Sequence, residues 1–336
     1  MTPPPDRFTG SLVGQCLGDA LGFLVEGEPP EICAGYVRDV VLPCRLPGRT
    51  RNAFRFGQYS DDSQMARELM QSFLASGGFD PADYARRIAD LFAENRVVGC
   101  GRSTAEAAAR LAAGVPWDRA GTPPPSAGNG SAMRAGPVGL FFAGAPDLVR
   151  VADAQGRITH ADRRCSAGAV AIAGAVALAA RCKRIERESF LDTLDQWVMG
   201  VDATMASALR QLADCLELPE AEAADRIARA GLPPGVDGHW HGGISGFVVG
   251  SVLWALYAFL RNTEDYVGAI ATAIWPGGDV DTTAAMAGAI AGAHLGLAAI
   301  PADLAGHLND RGTWAYRELV ELAEACHALA ERSPGR

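Results

Sequence analysis

Several features are scarce in this chain of 336 residues, and each scarcity narrows what it can be. Aromatic residues make up 7% of it, whereas 39 residues are glycine and alanine is abundant. That balance points to helices packed closely through small side chains. Alternating apolar and polar runs of the strand type are nearly absent, so the helical period dominates. The eight cysteines, Cys16, Cys33, Cys44, Cys100, Cys165, Cys182, Cys215 and Cys326, form no C-x-x-C pair. They read as free, buried thiols of a reducing compartment, and the expected location is the cytoplasm. The first ten residues carry prolines and charges and no apolar core, so no signal peptide is expected there. Basic charge is also in deficit, with a formal net charge of −9. A duplex nucleic acid wants a basic face and is not expected as a partner. A small phosphate-bearing ligand remains open, because a metal ion or a helix N-terminus can hold phosphate in an acidic protein.

One uncharged run, Gly242–Leu260, is long enough to span a bilayer. It holds four glycines and two serines and lacks a basic flank on one side. It reads as the central helix of a large helical core, and no membrane partner is expected. The fold class expected is all-α, a multi-helix unit over 1–336 with its core at about 10–301 and a C-terminal helix to about 331. Its oligomeric state is expected to be monomeric.

Along the chain, Gly14, Gly18 and Gly22 stand four residues apart in a helix predicted over Gly10–Leu24 and make one smooth face. Further helices are predicted over Thr104–Ala113, Ala135–Phe142, Ala161–Arg181, Gly243–Leu260 and Thr282–Leu297, among others. Tyr36–Leu42 is the one candidate strand. Glu26–Tyr59 is a connection long enough to be functional.

Two segments carry the chemistry most plainly. Gly57-Gln58-Tyr59-Ser60-Asp61-Asp62-Ser63 puts two carboxylates and a hydroxyl where a helix should begin. Ser60 as an N-cap with acids facing the positive helix end explains it structurally. Gly277-Gly278-Asp279-Val280-Asp281-Thr282-Thr283 repeats the arrangement before a small-residue helix. Both clusters offer only hard oxygen ligands, the set preferred by magnesium and manganese. If the two helix starts meet, four carboxylates converge, and two divalent cations would relieve the repulsion.

Other residues have a plain structural explanation as well as a functional one. Asp19 lies in an apolar helix and needs a partner if buried, supporting its neighbours. Glu26 follows that helix and could equally be a solvated loop acid. Gly99-Cys100-Gly101 and Gly128-Asn129-Gly130 are glycine-rich leads into helices that could present N–H groups to phosphate, or simply turn the chain. His160 stands at another expected helix start, as a cap, a packing residue or a ligand contact. Trp240, between His239 and His241, could shape a rim.

These pieces occur in one order, which resembles the ADP-ribosylglycohydrolase family over roughly Gly10 to Pro301. The family pattern G-D-A-L-G…E, T-D-D-T, G-N-G-x-x-M-R, T-H and G-G-D-T-D-T is matched by Gly18–Gly22 with Glu26, Ser60–Ser63, Gly128–Arg134, Thr159–His160 and Gly277–Thr282. The resemblance implies an all-α fold with a two-magnesium or two-manganese centre at helix N-termini. It implies hydrolysis of the N- or O-glycosidic bond at C1″ of ADP-ribose, attached to an arginine or serine side chain. The implied metal ligands are Ser60, Asp61, Asp62, Asp279, Asp281 and Thr282. Gly99, Gly101, Gly128, Asn129, Gly130 and Ser131 would hold the diphosphate and distal ribose, with His160 near the diphosphate or adenosine end. Glu26 matches a catalytic acid on a mobile loop of serine-type members, and Asp61 and Asp279 are the other candidate catalytic groups. Ser60, Ser63 and Val280 depart from the pattern without removing a ligand. Val97–Val98 carries no carboxylate where some arginine-type members place a catalytic aspartate.

Three other readings stand beside this one. A free ADP-ribose derivative, an ADP-ribosylated nucleic acid or a related nucleoside could be the substrate. A non-catalytic ADP-ribose-binding protein would be free to lose its metal ligands, and these are intact. The Asp61–Asp62 pair also fits an all-α prenyl-diphosphate enzyme, but that chemistry wants a third acid close behind, where Ser63, Gln64 and Met65 follow.

Overall fold

The glycine spacing of the first helix finds its complement at the far end of the chain. In the computed structural model, which describes residues 2–332, helix Pro5–Phe23 lies antiparallel against helix Val280–Leu295. Gly10 meets Gly292, Gly14 meets Gly288, Gly18 meets Ala284, and Gly22 meets the Val280–Asp281 turn. A Cβ on Gly14 would stand 2.5 Å from the Gly288 carbonyl oxygen, so only a bare backbone allows this approach. The pair is the axis of the fold, and the most extensive helix contact is between these two.

Apolar helices surround it. Arg163–Arg181 is long and apolar enough to cross a membrane by length and composition, yet 83% of its apolar window is buried within the fold. Val248–Arg261 is buried at every position except Arg261. The uncharged run that begins at Gly242 is therefore not one helix. Gly243–Ile244 pairs with His239–Trp240 as a small antiparallel hairpin, the only sheet among the described residues, and the helix starts at Val248. Helices Asp61–Ser76 and Tyr316–Arg332 pack on the other flank of the axis. One contiguous hydrophobic core runs from Phe8 to Ala330.

The structure departs from the sequence expectations at several places. Tyr36–Leu42 is not a strand: helix Pro30–Tyr36 runs into a π-helical turn, Val37–Val41, with the Leu42 N–H bonded to the Val37 carbonyl at 2.9 Å. Its valines mimic a strand, but Tyr36, Val37 and Val41 face the core together at helical spacing. The Glu26–Tyr59 connection thus carries structure. Helix Leu148–Arg157, not foreseen, buries Leu148, Val151, Ala152 and Gln155 on one face. The segment around Gly128 leads into a single 3-10 turn, Asn129–Ser131, and the helix after it starts at Gly136. His160 stands before its helix, not at its start: Asp162 is the cap, accepting from the Arg164 N–H, and His160 bridges Thr122 instead. Of the eight thiols, Cys44 and Cys182 are half-buried and Cys100 is exposed, so the expectation of uniform burial fails at these three.

Candidate active site at two helix N-termini

Ser60 and Asp279 are the N-cap residues of the Asp61–Ser76 and Val280–Leu295 helices. The tight axis of the fold brings these two helix starts together. The Thr282 hydroxyl, on one helix, donates to Asp62 on the other at 3.1 Å. The Ser60 hydroxyl accepts from the Asp62 N–H and lies 3.1 Å from its carboxylate. Glu26, Asp279 and Asp281 each offer a carboxylate oxygen within 4.8 Å of the others. Asp61, Asp62, Asp279, Asp281 and Thr282 thus line one cleft with Glu26, and Ser60 reaches it through its hydrogen bond to Asp62. Glu26 is no solvated loop acid: its side chain is 21% exposed and pairs with Arg51 at 2.7 Å.

Backbone geometry sets each carboxylate. Gly277 and Gly278 both take positive φ, and a Cβ on Gly278 would strike the Ile244 backbone. This double glycine lets the Ile244 N–H reach Gly277 O at 3.0 Å and the Asp279 N–H reach Ile244 O at 2.8 Å. The Gly27 N–H reaches Gly278 O at 2.9 Å, which carries Glu26 to the cluster. Asn129 donates its side-chain amide to Asp279 at 2.7 Å. Its amide group thus orients an acid rather than facing the cleft unengaged. Asp19, fully buried, accepts from the Ser60 N–H, the Ser63 N–H and, at 2.6 Å, the Ser63 hydroxyl. It fastens the helix start that carries Asp61 and Asp62, as the sequence led us to expect.

The electrostatics are those of crowded, buried acids. Burial and then neighbouring carboxylates hold Asp61, Asp62 and Asp281 well above the usual carboxylate range. Burial raises Asp279 against the hydrogen bond from Asn129, and pushes Asp19 up to about 7. Burial and Asp279 raise Glu26, and Arg51 opposes them. Such a group keeps its full negative charge only beside a cation. The donors are all carboxylate and hydroxyl oxygens, a set that fits a hard divalent cation such as magnesium or manganese.

The cluster forms one wall of a cleft of about 530 Å³. Across it lies helix Arg102–Ala112, whose start at Gly101 has no side-chain cap, leaving N–H groups free for an anion. Gly99, at positive φ, approaches Asp61 closely, and the Asp61 N–H donates to Val98 O at 2.7 Å. Gly128, Asn129, Gly130 and His160 complete that end. Ser131 does not line it: its fully buried hydroxyl donates to the Cys165 carbonyl at 2.8 Å.

Arg51 arrives at the cleft from the long connection with no motif in the sequence to mark it. Its guanidinium also donates to the Phe23 and Glu26 carbonyls, at 2.8 and 2.9 Å. Gln64 is equally unmarked: it donates to Asp310 and the Arg96 carbonyl and accepts from the Val98 N–H at 2.9 Å, holding the Gly99 loop in place. Trp240 lines the cleft, turned there by a two-residue hairpin loop in which His241 and Gly242 both have positive φ. His239 points elsewhere, to Asp237 at 2.7 Å.

Fold and cluster together define a class, all-α hydrolases whose acidic residues gather at helix N-termini. The family model described as ADP-ribosylglycohydrolase matches residues 1–335, and the chain belongs to that family of glycosidic-bond hydrolases. An uncharacterized protein of Archaeoglobus fulgidus is 32% identical, over 86% of this chain and 87% of its own length. ADP-ribosylhydrolase ARH3 of Gallus gallus is 29% identical, over 97% of this chain and 94% of its own. The ADP-ribosyl-[dinitrogen reductase] glycohydrolase of Rhodospirillum rubrum is 28% identical, over 98% and 99%. A solved structure described as an ADP-ribosylglycohydrolase-related protein complex has a TM-score of 0.72 and 31% identity, covering 97% of this chain and 98% of that one.

Proposed function

We propose that this enzyme hydrolyses the glycosidic bond at C1″ of ADP-ribose carried on a protein side chain, with a pair of magnesium or manganese ions. The observation that carries the reading is the two-ended cleft. Five carboxylates and two hydroxyls gather at one side, and an uncapped helix start with glycine backbone faces them. A ribose diol suits the first and a diphosphate the second. Ser60, Asp61, Asp62, Asp279, Asp281 and Thr282 would hold the ions, which when bound supply charge neutralisation and Lewis-acid polarisation.

The chain's own groups do the rest. The Gly99–Gly101 and Gly128–Gly130 backbones and the free N–H groups beyond Gly101 orient the diphosphate. Bond cleavage develops positive charge at C1″, and Asp61 and Asp279 face it. Glu26 holds or moves the proton of the attacking water or leaving group. Burial and Asp279 favour its protonated form, and the Arg51 pairing steadies its carboxylate.

The test is release of free ADP-ribose from arginine-linked and serine-linked peptides, with added magnesium and with chelator. Chelator-sensitive release from one peptide identifies the linkage. Metal-loaded protein that releases ADP-ribose from neither overturns the protein-side-chain reading.

A further inference from the structure

Behind the glycine cradle lies a buried cation that the proposed reaction does not use. Arg134 is fully buried, and among the described residues no carboxylate forms an ion pair with it. Its guanidinium donates to the Gln155 side-chain oxygen at 3.0 Å, the Gln155 carbonyl at 2.9 Å and the Thr159 hydroxyl at 2.7 Å. It touches the Met65 sulfur at 3.4 Å and lies 5.7 Å over the Tyr84 ring. Every one of these hydrogen-bond partners is neutral, and Asp61 is the carboxylate that acts on its charge from a distance. An arginine stays a cation even where burial disfavours its charge, and a buried cation whose hydrogen-bond partners are all neutral is costly to the fold.

The Thr159 hydroxyl stands between Arg134 and the Nδ1 atom of His160, 2.8 Å away. A guanidinium only donates, so the Thr159 oxygen accepts from it. The single proton of that hydroxyl then has His160 Nδ1 as its acceptor; no other partner for it lies among the described residues. An Nδ1 that accepts leaves the ring proton on Nε2. The Nε2 edge faces the cradle: a Cβ on Gly128 would stand 3.4 Å from Nε2, and one on Gly130 3.2 Å. Burial and the charge of Arg134 keep the ring neutral, with its pKa near 3.

We propose that Arg134 and Thr159 are positioning residues that lock His160 as a neutral Nε2–H donor, aimed through the Gly128–Gly130 cradle at a diphosphate oxygen of the substrate. The ligand half of this statement rests on the ADP-ribose reading; the tautomer does not. The opposite tautomer would present a lone pair to the anion and repel it. The lock keeps a donor at the cradle whatever the solution pH, while Arg134 adds attraction from behind without touching the ligand.

The direct test is ring 15N NMR of histidine-labelled, metal-loaded protein at pH 7, with His160 assigned from the signal that H160Q removes. The expected pattern has Nε2 protonated and Nδ1 bare. T159V should mix the tautomers and weaken ADP-ribose binding about fivefold to tenfold by calorimetry, with Mn2+ binding unchanged. T159S should restore both the ring pattern and the affinity. An Nδ1-protonated ring in the unaltered protein overturns the lock, and so does a T159V protein with unaltered ring pattern and affinity. An Nε2-protonated ring in protein that binds no ADP-ribose upholds the lock and sinks the ADP-ribose reading instead.

Discussion

Replacing Gly18 by alanine should damage both the fold and the site, through one added methyl group. In helix Pro5–Phe23 that methyl would stand 2.7 Å from the Ala284 carbonyl carbon and closer still to its oxygen. Ordinary carbon contacts are ~3.5–4.0 Å, so the two helices must open by about 1 Å. Alanine gains ~1 kcal/mol of helix propensity over glycine. Overpacking a filled contact costs ~1–3 kcal/mol, more where backbone rather than side chain must yield. With a backbone carbonyl in the way the cost sits at about 3 kcal/mol, so the expected net loss is about 2 kcal/mol, read by urea unfolding. The same opening moves Asp19 away from Ser60 and Ser63, and Asp281 and Thr282 away from Asp62. Metal sites tolerate about 0.2 Å, so Mn2+ affinity should fall at least tenfold by calorimetry. Gly35→Ala is the matched control. Gly35 lies in helix Pro30–Tyr36, and its added methyl would meet only the far end of the Arg38 side chain at 4.0 Å. That variant should gain about 0.5–1 kcal/mol. If Gly18→Ala gains stability like Gly35→Ala and binds Mn2+ like the parent, close helix contact does not set the site.

Four further outcomes are expected. Glu26→Gln should lower turnover by ~10²–10⁴-fold, the usual worth of general acid–base help, and unchanged turnover would remove Glu26 from the mechanism; Asp281→Ala should instead lose metal stoichiometry in calorimetry. Asp310→Asn takes the nearest counter-charge, at 2.7 Å, from the fully buried Arg67 and leaves it Glu68. A loss of about 3 kcal/mol in urea unfolding is expected, and a change under 1 kcal/mol would mean that the pair is dispensable. His160 contributes a pH dependence of known sign. Its folded pKa is near 3, against an ordinary 6.5, because burial and Arg134 disfavour the charged ring. The unfolded chain therefore binds the extra proton, and the stability contributed is whole above pH 6.5 and is lost as pH falls toward 3. Between pH 7 and 5 the loss should be about 2 kcal/mol, and it should vanish in His160→Gln. Parallel stability–pH curves for the two proteins would contradict the buried, neutral assignment.

What could be read from the sequence was local. The 3.6-residue period and the small-residue spacing at Gly14, Gly18 and Gly22 declared helices with one face able to approach closely. Ser60 before Asp61–Asp62, and Asp279 before Asp281–Thr282, declared two acidic helix starts, because capping chemistry acts within a single turn. Local signals also misled: the valines of Tyr36–Leu42 look like a strand, and only the core they face makes them a helical turn. The tertiary structure alone decided which groups meet. Glu26 joins Asp279 and Asp281 through the Gly27–Gly278 bond, and Arg51 comes from the far side of a connection that shows no motif. Asn129 turns its amide to Asp279, 150 residues away, and Arg134 reaches His160 through Thr159. Propensity and capping involve neighbours a few residues apart and so leave a trace in the chain. Charge pairing and hydrogen bonding across the cleft depend on how close two helix backbones come, and that distance exists only once Gly18 rests against Ala284.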